Sequence, residues 1–204
     1  MSGTQFNLFG APTAVIPDGR RDIGLPNWLH ATKFDTAGAA LADRHYSRRK
    51  PGSPQFMPPG ETVVLITADG SAVFGWWRPH PASGLEALNG LDGWTCSIFR
   101  NEGRMLSSVL ILEAEQALEL LGKTCGPDGL LTYVWSAKVR SSNPGCCFKK
   151  AGWKRIGKSA DGRKVLLQKP CAWSCAYCAG TGVAYDPQTG EGPICPECNG
   201  AGRP

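Results

Sequence analysis

Two copies of one short pattern, Cys175-Ala-Tyr-Cys178-Ala-Gly180-Thr-Gly182 and Cys195-Pro-Glu-Cys198-Asn-Gly200-Ala-Gly202, stand at the end of the 204-residue chain. Two residues between thiolates let one turn present both sulfurs to the same side of a metal. The glycines permit the positive φ values that aim backbone N–H groups at those sulfurs. Two such pairs make a four-thiolate set, the donor chemistry of structural zinc with no position left for water. Cys175, Cys178, Cys195 and Cys198 are therefore the expected ligands of a structural zinc. Cys171 is a spare thiol that could stand in for Cys175 at a poorer spacing. A redox dithiol or unstructured cysteines are the competing readings, and they leave the duplication unexplained.

Two other segments carry chemistry. In Arg44-His45-Tyr46-Ser47-Arg48-Arg49-Lys50 an imidazole stands beside a phenol, a proton acceptor near neutral pH next to a donor. His45 is the candidate base and Tyr46 the candidate proton donor, while Arg48, Arg49 and Lys50 could hold phosphates. In Phe99-Arg100-Asn101-Glu102-Gly103-Arg104-Met105-Leu106-Ser107-Ser108 a strand passes into a helix. Free N–H groups and the helix dipole favour an anion there. Arg100, Asn101, Gly103, Arg104, Ser107 and Ser108 are the candidate anion or cofactor rim, and Glu102 is an alternative base. Lys149, Lys150, Lys154, Arg155, Lys158, Arg163, Lys164 and Lys169 face one acid, Asp161. That run is the expected electrostatic footprint for nucleic acid, a solvated hairpin face being the bland alternative.

The elements that must position these residues follow from patterning. A short helix is expected over Thr36–Arg44, and strands over Thr62–Thr67 and Ala72–Arg78 joined at Asp69-Gly70. A third strand is expected over Trp94–Phe99, then a turn at Arg100–Gly103. The helix Met105–Leu121 carries Leu106, Val109, Leu110, Ala114, Ala117, Leu118 and Leu121 at three- and four-residue steps, with Glu115, Gln116 and Glu119 on a wet side. Strand Leu130–Trp135, a short helix over Pro144–Ala151 and a hairpin around Asp161-Gly162 complete an α/β (α+β) pattern with a mixed sheet. Trp76 and Trp77 are adjacent on a strand and must face opposite sides, each fitting a core.

Composition bounds the rest. The net charge is +5, and Asp186, Glu191 and Glu197 against Arg203 leave residues 171–204 at −2. The division falls near Lys169-Pro170, giving a leader over 1–25, a body over 26–170 and the cysteine tail over 171–204. Gly 26 and Pro 16 imply many loops, and 42% hydrophobic residues suffice for a core. The longest aliphatic runs, such as Val63–Ile66, are too short for a transmembrane helix. No secretory signal is recognisable, so a cytoplasmic protein is expected, with its nine cysteines reduced.

Each tail copy resembles the zinc knuckle of the DnaJ chaperone cysteine-rich region. The body segments, together with Asn143-Pro-Gly-Cys-Cys-Phe148-Lys-Lys-Ala-Gly152-Trp153, resemble the GNAT acyltransferase superfamily. That resemblance implies a mixed sheet with flanking helices, a loop after a central strand for the pyrophosphate of coenzyme A, and a role for Asn143 in cofactor binding. Within the superfamily, HYSRRKPGSPQF followed by a Leu-Ser helix start is similar to the phage Mom-type branch, which modifies the exocyclic nitrogen of adenine in DNA. It implies DNA as partner and a coenzyme A thioester or another acyl donor. Two departures accompany it: Met105 where acetyltransferases carry Gly or Ala, and Tyr133-Val134-Trp135 where the branch carries Tyr-Ala-Asp. On this reading a flipped base enters a cleft between the His45–Lys50 loop and the parted ends of two central strands.

The leader segment Gln5-Phe6-Asn7-Leu8-Phe9 resembles the pentapeptide by which bacterial replication proteins dock on the sliding clamp, with Gln5, Leu8 and Phe9 as the contacts. Three functions stand open from sequence: a DNA-modifying transferase, a non-catalytic replication adaptor, and an acyltransferase acting on a protein or small amine.

Overall fold

Asp69-Gly70 turns β3 (Glu61–Ile66) into β4 (Ala72–Arg78), with Gly70 at φ +69° and the Asp69 carboxylate accepting from Thr67 Oγ1 at 2.7 Å and the Ser71 N–H at 3.0 Å. In the computed structural model, which describes residues 19–80, 88–139, 141–172 and 192–196, this hairpin lies within an eight-stranded mixed sheet. Its other strands are β1 (Arg21–Asp22), β2 (Leu29–Ala31), β5 (Trp94–Asn101), β6 (Leu130–Trp135), β7 (Lys154–Lys158) and β8 (Lys164–Lys169). The strand order is β1-β2-β3-β4-β5-β6-β8-β7. Every neighbouring pair is antiparallel except β5 and β6. A parallel pair needs a crossover, and α2 (Ser107–Leu120) supplies it. Helices α1 (Thr36–Asp43) and α3 (Cys146–Lys150) flank the sheet.

The central strands read as almost unbroken apolar runs because both faces are covered. One core gathers Trp28, Phe74, Trp76 and Trp94 with Leu110, Ala114 and Leu118 of α2 and Phe148 of α3. The other gathers Val64, Ile66, Trp77 and Ile98 with Leu41 and Ala42 of α1 and with Phe56 and Met57. Trp76 and Trp77 thus face opposite sides, both in core, and their indole N–H groups donate to the carbonyls of Ala114 and Pro59. Gly75 between them is required by close approach, since a Cβ there would meet Ile98 Cγ2 at 2.7 Å.

Several expectations need correction. Ordered structure starts before residue 26: β1 lies inside the leader segment, and Arg20 pairs with Asp35, whose carboxylate also caps α1 by accepting the Gly38 N–H at 2.9 Å. Two residues of strand are too few to leave a pattern. The expected turn at Arg100–Gly103 begins later, because β5 continues through Asn101 opposite Ala72. Glu115 is not on a wet side. It is 7% exposed, accepting from Trp153 Nε1 at 2.8 Å and pairing with Lys169 Nζ at 2.6 Å. Lys169 accordingly leaves the basic run. Nor are all the cysteines free thiols: Cys125 and Cys171 form a disulfide with Cα atoms 6.4 Å apart. Cys171 is therefore tied to the body instead of standing in for Cys175. Among the described residues no helix is long and apolar enough to cross a membrane.

Candidate active site

β5 and β6 pair only from Trp94–Cys96 to Leu130–Thr132. The next residue of β5, Ser97, has no partner on β4, where Trp76 pairs with Cys96 and Gly75 with Ile98. Such a bulge bends its strand, while β6 stays paired to β8 as far as Trp135. A crevice of about 140 Å³ opens between the two strands, lined by Cys96 to Phe99, Thr132 to Val134, Cys147 and Phe148 of α3, and His45 and Tyr46 from the loop after α1. Asp43 and Arg48 shape that loop. Arg48 Nε bonds Asp43 at 2.7 Å, its guanidinium donates to the carbonyls of Ser53 and Gln55, and Asp43 also accepts the Gly52 N–H.

The two rings lie against each other, tilted by 32° with centroids 4.2 Å apart. His45 Nδ1 lies 2.7 Å from Ser47 Oγ and accepts the Ser47 backbone N–H at 3.3 Å. Burial, helped by the nearby Arg100 guanidinium, pulls the imidazole down to about 4, so it is neutral at neutral pH. The Tyr46 oxygen accepts the backbone N–H of Trp135 at 3.4 Å, and burial raises its phenol above the ordinary range. It therefore keeps a proton to donate. Burial likewise raises the Cys147 thiol.

The strand-to-helix junction meets the His45 loop through an ion-paired bridge. Glu102 receives Arg44 on both carboxylate oxygens, at 2.9 and 2.7 Å, and Arg100 at 2.6 Å, while Arg100 also donates to the Arg44 carbonyl. The two guanidiniums hold Glu102 down to about 2. That leaves a poor proton acceptor, so the environment fits a strut better than the base expected of Glu102. His45 and Gly103 thus lie on adjoining segments of one side, not on opposite sides.

The remaining candidates divide. Asn101 closes its own loop, donating to Met105 O and Ser107 Oγ and accepting the Gly103 N–H. Gly103 packs against Ser71, and Arg104 is exposed. Both line a second cavity of about 550 Å³ with Trp28, Asp69, Asn101 and Met105. Ser107 and Ser108 open α2, whose cap residue Leu106 offers no side-chain hydrogen bond to the first turn. Asn143 is exposed and accepts from Lys149 Nζ at 2.5 Å, away from that junction in sequence and joined to α3 instead. Arg48 is 9% exposed and committed to its loop, which corrects its expected role as a phosphate grip. Arg49, Lys50, Lys150 and Lys154 are exposed and Lys149 partly so.

Sequence reasoning missed three features: the bulge at Ser97, the Ser47 contact to His45, and Cys147 in the crevice. A bulge depends on the partner strand and leaves no local mark. Ser47 did have a weak signal, since a serine hydroxyl readily bonds groups close to it in sequence.

Of the expected zinc ligands, Cys195 is fully buried between exposed Ile194 and Pro196. Cys175, Cys178 and Cys198 lie outside the described residues, as do Gln5, Leu8 and Phe9 of the clamp-like peptide. Among the described residues, no three His, Cys, Asp or Glu side chains gather to hold a metal. The chain matches no protein-family model, no curated protein and no solved structure.

Proposed function

We propose that this chain is a GNAT-like transferase that modifies a nucleobase amine in DNA, in the manner of the Mom-type branch, with a thioester as acyl donor. One observation carries the reading: His45 and Tyr46 line the crevice where β5 and β6 part, beside the junction that leads into α2. A single parallel pair at the centre of an otherwise antiparallel sheet, with a helical crossover between its strands, supports the superfamily resemblance.

The uncapped first turn of α2, with Gly103, Arg104, Ser107 and Ser108, is the place for the donor's phosphates. The donor supplies an activated acyl carbon; the protein aligns it with the amine and excludes water. Tyr46, held protonated by burial, donates to the leaving sulfur. Arg49, Lys50, Lys149, Lys150 and Lys154 are the DNA contacts, and a flipped base reaches the crevice from that side. Cys175, Cys178, Cys195 and Cys198 hold a structural zinc, and Gln5, Leu8 and Phe9 dock on the sliding clamp.

The test is nucleoside mass spectrometry of DNA from cells expressing the wild type or His45→Ala. An adenine-derived mass shift is expected with the wild type and lost in the variant; no shift in either overturns the enzyme reading. The alternative is a non-catalytic adaptor. It draws on the inward commitment of Arg100 to Glu102 and of Asn101 to its own loop.

A further inference from the structure

We propose that Ser47 is a positioning residue that fixes His45 as the Nε2–H tautomer, making the imidazole a hydrogen-bond donor to the reacting carbonyl and not the base that takes the amine proton. The inference rests on the transferase reading for its chemistry, but not for its geometry. A backbone N–H can only donate. Ser47 N–H points at His45 Nδ1 at 3.3 Å, so that nitrogen carries the lone pair. The Ser47 hydroxyl, 2.7 Å from the same nitrogen, then donates as well. With Nδ1 occupied twice by donors, the ring proton resides on Nε2.

The surroundings agree. Arg100 approaches from β5 and disfavours a second ring proton, while its own charge is shared with Glu102. Tyr46 packs at a tilt against the ring, and its oxygen is held by the Trp135 N–H, which leaves the phenol hydrogen to donate. Two donors, His45 Nε2–H with a proton it keeps and Tyr46 O–H with one it can pass on, therefore belong to one crevice, the first suited to charge developing on a carbonyl oxygen and the second to a leaving group.

The step balances without a separate base. The amine nitrogen bonds to the thioester carbonyl carbon, and the carbon–sulfur bond breaks with its electron pair going to sulfur. Tyr46 gives its proton to sulfur and regains one from the amine. His45 keeps its Nε2 proton throughout and stabilises the oxygen.

Nitrogen-15 correlation spectra of the full chain decide the tautomer. The protein has three histidines, and a His45→Gln sample assigns the signal. At pH 7 the expected pattern is a protonated, pyrrole-like Nε2 and a bare, pyridine-like Nδ1. Ser47→Ala should shift the tautomer ratio toward Nδ1–H by roughly five- to tenfold, the worth of one hydrogen bond. Ser47→Thr, which keeps a hydroxyl, should restore it. A wild-type spectrum with the proton on Nδ1, or a ratio unmoved in Ser47→Ala, overturns the proposal. Neither result depends on DNA modification, so the tautomer can fail while the transferase reading stands, and the reverse.

Discussion

The fold opposes the ionisation of His45 in the crevice, and the opposition has a measurable consequence. Its pKa falls from 6.5 to about 4 on folding, chiefly through burial. Between those values the unfolded chain binds more protons than the folded one, so stability rises with pH across that window. Acidifying from pH 7 should cost stability progressively, reaching about 3 kcal/mol near pH 4 and no more from this group below that. His45→Gln should remove that component. Urea unfolding of both proteins at pH 7 and pH 5 checks it, and identical pH dependence in the two would contradict the burial argument. Carboxylates held low, such as Asp35 beside Arg20 and Glu102 between its two guanidiniums, act at lower pH and with the same sign. The chemical identity of His45 and Tyr46 was legible in the chain. The proton position on His45 was not, because it depends on where the Ser47 amide points.

At the scale of elements, α2 illustrates how a periodic pattern can be right in outline and wrong in places: Leu106, expected on the apolar face, is exposed before the helix begins. Leu110, Ala114, Ala117 and Leu118 are buried as their spacing requires, and Gln116 and Glu119 are exposed. Glu115 breaks the pattern because Trp153, just after α3, and Lys169, at the end of β8, supply partners for both of its carboxylate oxygens. Burial raises its pKa, outweighing Lys169 and Trp153. Glu115→Ala should cost about 3–5 kcal/mol, since it strands a half-buried ammonium and an indole N–H. Glu115→Leu combined with Lys169→Met should lose much less than the sum of the single changes. Denaturant unfolding of the four proteins in that cycle measures the coupling, and simple additivity would show the pair to be incidental. The hairpins of β3–β4 and β7–β8 were readable because Asp-Gly turns are local chemistry. The bulge at Ser97 was not, because it is a mismatch in length between two strands far apart in sequence.

For the whole molecule, the disulfide between Cys125 and Cys171 joins the segment before β6 to the residues that follow β8, across 46 positions of sequence. Chain-entropy reasoning for a loop of that length gives about 4 kcal/mol of stabilisation relative to the open form. The wild type should therefore unfold at lower denaturant when a dithiol reductant is added, and Cys125→Ala should show no such sensitivity. An equal response of both proteins would remove the covalent tie from the account. Residue types and short spacings determined the helices α1 to α3, six of the eight strands among the described residues and the imidazole–phenol pair, because each is written in neighbours along the chain. Tertiary structure alone decided that Arg48 serves its loop, that Glu102 bridges two arginines, that Cys171 belongs to the body, and that a crevice opens past Cys96 and Thr132. The reason is physical: those outcomes turn on which distant groups meet, and burial and pairing energies act across space without regard to order in the sequence.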